Sequence, residues 1–393
     1  MSNLFLPERA PLDDETGRFT SAEIARQPET WKKTWTDLRA QKKEIASFLD
    51  GILAHEDLNI VLTGAGSSAF IGDSVASTWQ RVFSRNARAV PTTDLVTDFD
   101  ELILTSQPLL LISFGRSGNS PESRAVVDIA NRKCDQVFHL LITCNPEGEL
   151  AQMKSRDNSF VFLLPEGAED QSLAMTNSFT SMALAALLIP SLFEAADEEI
   201  TRQIQALART GNRIIGDFSE RLFNIAETDF SRIVFLGSGP LLGIARESHL
   251  KVQELTNGRV VGKFDSFLGF RHGPKAIIND KTLLVYLLSN DEQTRRYERD
   301  LVQQIARHDI DVTTAAVADR RFGDLNAIDF MIQPGDENQI DNHFWAILCT
   351  LPSQIIGFYK SIQLSLNPDN PSPEGTISRV VEGVKIYSEP AVH

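Results

Sequence analysis

Two stretches decide the fold: Leu58-Asn59-Ile60-Val61-Leu62, which runs into Gly64-Ala65-Gly66-Ser67-Ser68, and Leu109-Leu110-Leu111-Ile112, which runs into Ser113-Phe114-Gly115-Arg116-Ser117-Gly118-Asn119-Ser120. Each is a short apolar run that stops at a turn rich in glycine and serine. Continuously apolar runs read as strands buried on both faces, the signature of a parallel sheet covered by helices. Ligands bind beyond the carboxyl ends of such strands. Glycine lets the backbone approach closely, and the helix that follows offers unpaired N–H groups and its positive end. The two turns are therefore expected to form one cradle for a small anion.

Working outward, Ala87 to Val90, His139 to Thr143 and Phe160 to Leu164 complete a set of five strands, with helical segments such as Glu122 to Arg132 between them. Residues 20 to 55 read as helical: Thr20 and Glu23 have capping-box spacing, and Trp31, Trp35, Leu38, Ile45 and Leu49 keep a rough helical period. Phe179 to Leu192 reads as a buried helix and Glu198 to Phe223 as a long amphipathic connector. The pattern then restarts. Ile233-Val234-Phe235-Leu236 runs into Gly237-Ser238-Gly239-Pro240, and Leu283 to Leu288 ends in Ser289. Val312 to Val317 and Phe330 to Ile332 echo the last two strands. The first glycine turn and the strong strand's serine lie 49 residues apart in the first half and 52 in the second. This predicts an internal duplication: an α/β protein of two tandem domains, each a five-stranded parallel sheet flanked by helices. The expected boundaries are 1–55 (helical segment), 56–195 (first domain, binding the anion), 196–228 (connecting helix), 229–365 (second domain) and 366–393 (a tail rich in Pro, Asn and Ser that orders on contact).

The 393 residues carry a net charge of −15 and 42% hydrophobic content. That balance fits a soluble globular chain of two domains and argues against a nucleic-acid surface. It also requires local donors for any anion, since the global field repels one. Cys134, Cys144 and Cys349 have no metal-like spacing and fit small core residues in a reducing compartment. The first residues, Met1 to Arg9, are too short in apolar length for a signal peptide, and the longest apolar stretch, Met182 to Pro190, falls far short of a bilayer span. A cytoplasmic protein without a membrane partner is expected.

Serine hydroxyls donate without adding charge. Ser67, Ser68, Ser113, Ser117 and Ser120 are thus expected to surround one phosphate, with Arg116 adding a positive charge. Gly64 to Ala69 also matches the dinucleotide fingerprint, for which Asp94 would be the ribose-binding acid of a nicotinamide enzyme. No Lys-Ser/Thr follows the second turn, so a P-loop is not expected. A second rich segment is Ala245 to Leu255, followed by Phe270-Arg271-His272-Gly273-Pro274-Lys275. Glu247, Lys251 and Glu254 share one helix face, in an otherwise apolar helix where such charges are paired or functional. Gly-Pro fixes His272 on a restricted loop; the other six histidines read as structural or surface groups.

Assembled, these residues resemble the sugar isomerase (SIS) domain family in its tandem form. The matching elements are Ala65-Gly66-Ser67-Ser68, Arg116-Ser117-Gly118-Asn119-Ser120, Thr176-Asn177-Ser178-Phe179-Thr180, Lys251-x-x-Glu254 and Arg271-His272-Gly273-Pro274. Arg116 to Ser123, Ile142-Thr143-Cys144-Asn145 and Asp369 to Pro373 are similar to the AgaS-type branch, regarded as galactosamine-6-phosphate deaminase/isomerases that yield tagatose 6-phosphate and ammonia. The resemblance extends to the isomerase half of glucosamine-6-phosphate synthase. It implies phosphate-binding hydroxyls at Ser68, Ser117 and Ser120, with Ser113 close by. It further implies a proton-shuttling Glu254, a ring-opening His272 donated by the neighbouring subunit of a homodimer, and substrate contacts at Thr176, Lys251 and Arg379. The synthase's Schiff-base lysine aligns with Arg379, which stays protonated and forms no imine. No counterpart of the synthase's glutaminase domain is expected, because the first repeat begins close to residue 1.

The second repeat replaces the hydroxyl-rich loop by Ser289-Asn290-Asp291-Glu292, whose acids repel phosphate. The first repeat is therefore expected to bind the phosphate, and the second to supply Glu254 and His272. No cofactor and no metal are expected. Two alternatives remain open: a tagatose-6-phosphate ketose/aldose isomerase without deamination, and a non-catalytic sugar-phosphate-binding regulator.

Overall fold

A computed structural model describes residues 15–155, 157–307, 311–319, 328–335, 340–381 and 383–387. Met1 to Arg9 and the end of the tail at Pro390 lie outside them. Among the described residues, ten strands form two parallel sheets of five. The first holds β1 (Asn59–Thr63), β2 (Asn86–Ala89), β3 (Leu109–Gly115), β4 (Val137–Thr143) and β5 (Ser159–Leu163), in the order β2-β1-β3-β4-β5. The second holds β6 (Arg232–Leu236), β7 (Val261–Asp265), β8 (Thr282–Leu287), β9 (Thr313–Val317) and β10 (Phe330–Ile332), in the order β10-β9-β8-β6-β7. Matched strand for strand, the two orders are the same, as a duplication requires. The pairing of Thr63 with Ser113 puts the ends of β1 and β3, and so both serine turns, side by side. Strand β7 is an addition to the sequence reading. It is an edge strand of Val-Gly-Lys-Phe-Asp, partly or wholly exposed along its length, so it lacks the apolar run that marks the central strands.

The N-terminal segment departs from its predicted start. Two helices, Arg18–Ala40 and Lys42–Leu53, replace one, and the first begins after Gly17 with no side-chain cap. Thr20 and Glu23 form no capping box, because both are taken by distant partners. The Thr20 N–H and hydroxyl each donate to Asp369 Oδ1 at 2.7 Å. Glu23 accepts the N–H groups of Gln171 (2.6 Å) and Ser172 (3.2 Å), together with the Ser172 hydroxyl. The connector likewise divides at Phe218 into Asp197–Asp217 and Ser219–Glu227. Helix Asn177–Glu194 is buried from Asn177 to Leu192, which is why its sequence lacks a polar stripe.

Helices Ser67–Phe83 and Pro240–Leu255 each start at a glycine turn and pack against each other. Gly66 (φ 57°, ψ −131°) and Gly239 (φ 58°, ψ −126°) share one backbone conformation that L side chains rarely adopt. The helices approach so closely that a Cβ on Gly243 would lie 2.2 Å from Ser74 Oγ, and an Arg246–Asp73 ion pair at 2.6 Å locks the crossing. The tail is ordered by contact with the first repeat: Asp369 holds Thr20, and its carbonyl accepts the Leu173 N–H at 3.0 Å. All three cysteines are free, with Cys144 and Cys349 buried. Among the described residues, no helix is long and apolar enough to cross a membrane.

Candidate functional site

The two serine turns, Glu254 and the strap Gly375–Val381 of the tail enclose one cavity of about 710 Å³. Ser67 and Ser68 open helix Ser67–Phe83 and are buried at its N-terminus, with the Ser68 hydroxyl 3.9 Å from Met175 Sδ. In the second turn, Ser117 Oγ accepts the Asn119 N–H at 3.3 Å. Ser120 caps helix Pro121–Lys133, accepting the Ser123 N–H and donating to Ser123 Oγ at 2.7 Å. The turn is pinned from outside: Asn145 Nδ2 donates to the Ser117 carbonyl at 3.1 Å, and the Leu150 N–H to the Gly118 carbonyl at 3.2 Å. Gly118 adopts φ 67°, and a Cβ there would meet Thr143 Oγ1 at 3.2 Å. The result is a held concavity of hydroxyls at two helix N-termini, suited to an anion.

The shared face of helix Pro240–Leu255 is no exposed salt-bridge row. Lys251 is fully buried, its Nζ 2.8 Å from Glu254 Oε2, 3.3 Å from Glu247 Oε1 and 3.4 Å from Ser67 Oγ. Burial pushes the Glu247 carboxyl up to about 7, against the pull of Lys251. Lys251 itself is raised, because the two carboxylates outweigh its desolvation. One lysine thus ties the second repeat's helix to the first repeat's turn and holds the Glu254 carboxylate, which is 23% exposed, in the cavity wall. A carboxylate fixed beside an anion cradle can move a proton on the ligand that the cradle holds.

Other expected site residues fall elsewhere. Ser113 Oγ is buried at the end of β3, without a partner among the described residues and outside the cavity lining. Thr176 is buried and its hydroxyl donates to Asp170 Oδ1 at 2.9 Å, while the Asp170 carboxylate caps the buried helix. Arg116 and Arg379 both line the cavity, but the bonds they make are directed largely at main-chain carbonyls. His272 lies exposed on its loop and outside the cavity of its own chain. Asp94 sits exposed in the first turn of helix Thr92–Leu102, also outside the cavity. Arg379 apart, the sequence reading did not anticipate the strap, Leu173 or Met175 as lining, nor Asp170 as the cap behind them. Besides Arg379, the Pro-Asn-Ser character of the tail hinted at an ordered contact.

The second repeat's equivalent position is closed from within. Glu298 of helix Glu292–Ala306 is buried, accepts the Ser289 N–H at 2.8 Å, and is also reached by the Ser238 side chain. Its carboxylate therefore bridges the turns after β6 and β8. Asn342 Oδ1 takes the Asn290 N–H (2.8 Å) and Ser289 Oγ takes that of Asp291 (3.0 Å), so successive donors of this loop are satisfied by the protein itself. Among the described residues no cluster suited to a metal ion occurs.

Comparison with known proteins agrees with this architecture. The SIS domain profile matches residues 52–190, the first repeat. The Escherichia coli D-galactosamine-6-phosphate deaminase AgaS is 40% identical over 387 residues, covering 97% of this chain and 99% of the relative. Among solved structures, a tagatose-6-phosphate ketose/aldose isomerase from Escherichia coli superposes with a TM-score of 0.87 at 35% identity, covering 98% of this chain and 100% of the other. A candidate tagatose-6-phosphate ketose/aldose isomerase from Clostridium novyi NT gives 0.91 at 39% identity, covering 95% and 96%. With two like-ordered parallel sheets, the first of them matched by the SIS profile, and near-full-length identity to these relatives, the chain belongs to the AgaS group of the SIS-domain family.

Proposed function

We propose that this protein is a sugar-phosphate enzyme that converts galactosamine 6-phosphate and water to tagatose 6-phosphate and ammonia. The observation that carries the reading is the Glu254 carboxylate, held by buried Lys251 in the wall of the same cavity as the serine turns. The substrate phosphate sits on Ser68, Ser117 and Ser120, with Ser67 beside them. Once the sugar ring is open, Glu254 removes the C2 proton, giving an enaminol, and returns it to C1. The product is a 2-ketimine, which water hydrolyses to the ketose and ammonia. His272, exposed on its own chain, moves the ring-opening proton when a second copy brings it to the cavity of its neighbour. The acting form is therefore a homodimer, and the chemistry belongs in the cytoplasm.

The test is ammonia release from galactosamine 6-phosphate by the purified protein. Release that disappears in Glu254→Gln while the substrate still binds supports the reading; intact protein that turns over no galactosamine 6-phosphate defeats it. Isomerisation of tagatose 6-phosphate without ammonia release would favour the simpler ketose/aldose reaction, the activity named for the Escherichia coli structural relative.

A further inference from the structure

Arg116 lies inside the serine turn, yet the residue is only 6% exposed and its bonds run away from an anion. Nη1 donates to the carbonyls of Ser172 (3.2 Å) and Leu173 (3.1 Å), and Nη2 to the carbonyl of Arg379 (2.6 Å). One planar group thus joins three segments: the phosphate turn, the 169–175 loop and the C-terminal strap. The 169–175 loop is a firm bracket. The Asp170 carboxylate accepts the N–H groups of Thr176, Asn177 and Ser178 at the start of the buried helix. Glu23 holds Gln171 and Ser172 from the other side. The strap is fastened to the same bracket again, through Arg379 to the Asp170 carbonyl and to Glu169 at 2.7 Å. A guanidinium serving chiefly as a phosphate ligand would direct its paired donors at the anion. Here three of its five N–H groups are committed to carbonyls.

We propose that Arg116 is a positioning residue that couples occupancy of the phosphate turn to the seating of strap Gly375–Val381 over the cavity. Binding linkage makes the effect mutual: an anion that orders the turn steadies the strap, and a seated strap tightens the turn. A lysine cannot reproduce the planar fork that reaches three carbonyls. The inference rests on the sugar-phosphate reading above only for the identity of the anion.

The strap carries its own reporter. Trypsin cuts after Arg379 only when that side chain leaves Asp170 and Glu169. The experiment follows tryptic cleavage after Arg379 in the full-length protein, with and without inorganic phosphate, for wild type, Arg116→Ala, Arg116→Lys and Glu169→Gln. Phosphate should slow cleavage of the wild type several-fold. Both Arg116 variants should be cut faster and lose the phosphate response. Glu169→Gln should be cut faster but keep that response, which separates coupling from mere loosening. In the ammonia assay, Arg116→Lys should lower kcat more than it raises KM. If Arg116→Ala fails to fold, Arg116→Lys carries the test. Wild-type cleavage indifferent to phosphate, or a phosphate response retained in Arg116→Lys, overturns the proposal. Phosphate protection in a protein that releases no ammonia would sink the deaminase reading and leave this coupling standing.

Discussion

The two halves share strand order, a glycine of the same φ and ψ, and a helix that starts at the turn, yet one half leaves an open concavity of hydroxyls and the other fills the equivalent place with a carboxyl group. In the first, the five residues from Arg116 to Ser120 separate β3 from its helix. In the second, the four residues from Leu288 to Asp291 do so, and the Glu298 carboxylate accepts the Ser289 N–H between the turns. Counted from the first helical residue, Val127 occupies the place of Glu298 in the first repeat. A single apolar-for-acidic difference thus accompanies the change from a closed cradle to an open one. The second half contributes the Glu254 end of its helix to the first half's cavity. Duplicated folds can divide labour in this way because function resides in the loops, whereas the sheets carry the packing.

The largest expected effect tests the division of labour. Glu254→Gln should lower kcat for ammonia release by about 10²–10⁴-fold, the usual contribution of a general acid–base group, with KM little changed. A proportional rise in KM would mean that this side chain binds rather than reacts.

Next in size is the pH response of the plugged cradle. Burial raises the Glu298 carboxyl from 4.5 to about 7. Between those values the unfolded chain binds fewer protons than the folded one, so the stability Glu298 allows falls as pH rises from about 4.5 to 7. A shift of this size corresponds to about 3 kcal/mol. Urea unfolding at pH 5 and pH 8 should therefore show a smaller difference for Glu298→Gln than for wild type. Glu23 and Glu247, also raised to about 7, keep their share of the slope. An unchanged slope would show that Glu298 is not held as described.

A paired serine test follows. Ser117→Ala and Ser120→Ala should each raise KM by about 10-fold or more, the worth of a hydrogen bond to a charged group. Ser238→Ala and Ser289→Ala should leave KM where it is. Equal effects in both halves would break the asymmetry. A last test probes what the halves share: Gly66→Ala and Gly239→Ala should each lose about 1 kcal/mol of stability from the positive φ, with only the former also weakening substrate binding.

Much of this was legible in the sequence because central parallel strands must be apolar on both faces, and turns with positive φ need glycine. Those local demands made β1, β3, β6 and β8 readable, along with both glycine turns and the buried Asn177–Glu194 helix. Strand β7 was not readable, since an edge strand answers to one neighbour and tolerates Gly, Lys and Asp. The capping-box reading of Thr20 and Glu23 failed for a related reason: spacing within four residues competes with partners some 150 to 350 positions away, and the distant partners won.

By itself, then, the sequence determined the duplicated parallel architecture, the anion-suited turns and the pairing of Glu247, Lys251 and Glu254 on one helix face, because each follows from backbone geometry within a few residues. Only the tertiary structure decided that Lys251 reaches Ser67 of the other repeat, that Arg116 grips the tail, and that Glu298 closes the second cradle. The first two join segments 184 and 263 positions apart and the third turns a helix residue back onto the loop before it, so each depends on how packed elements meet in space rather than on spacing within a few residues.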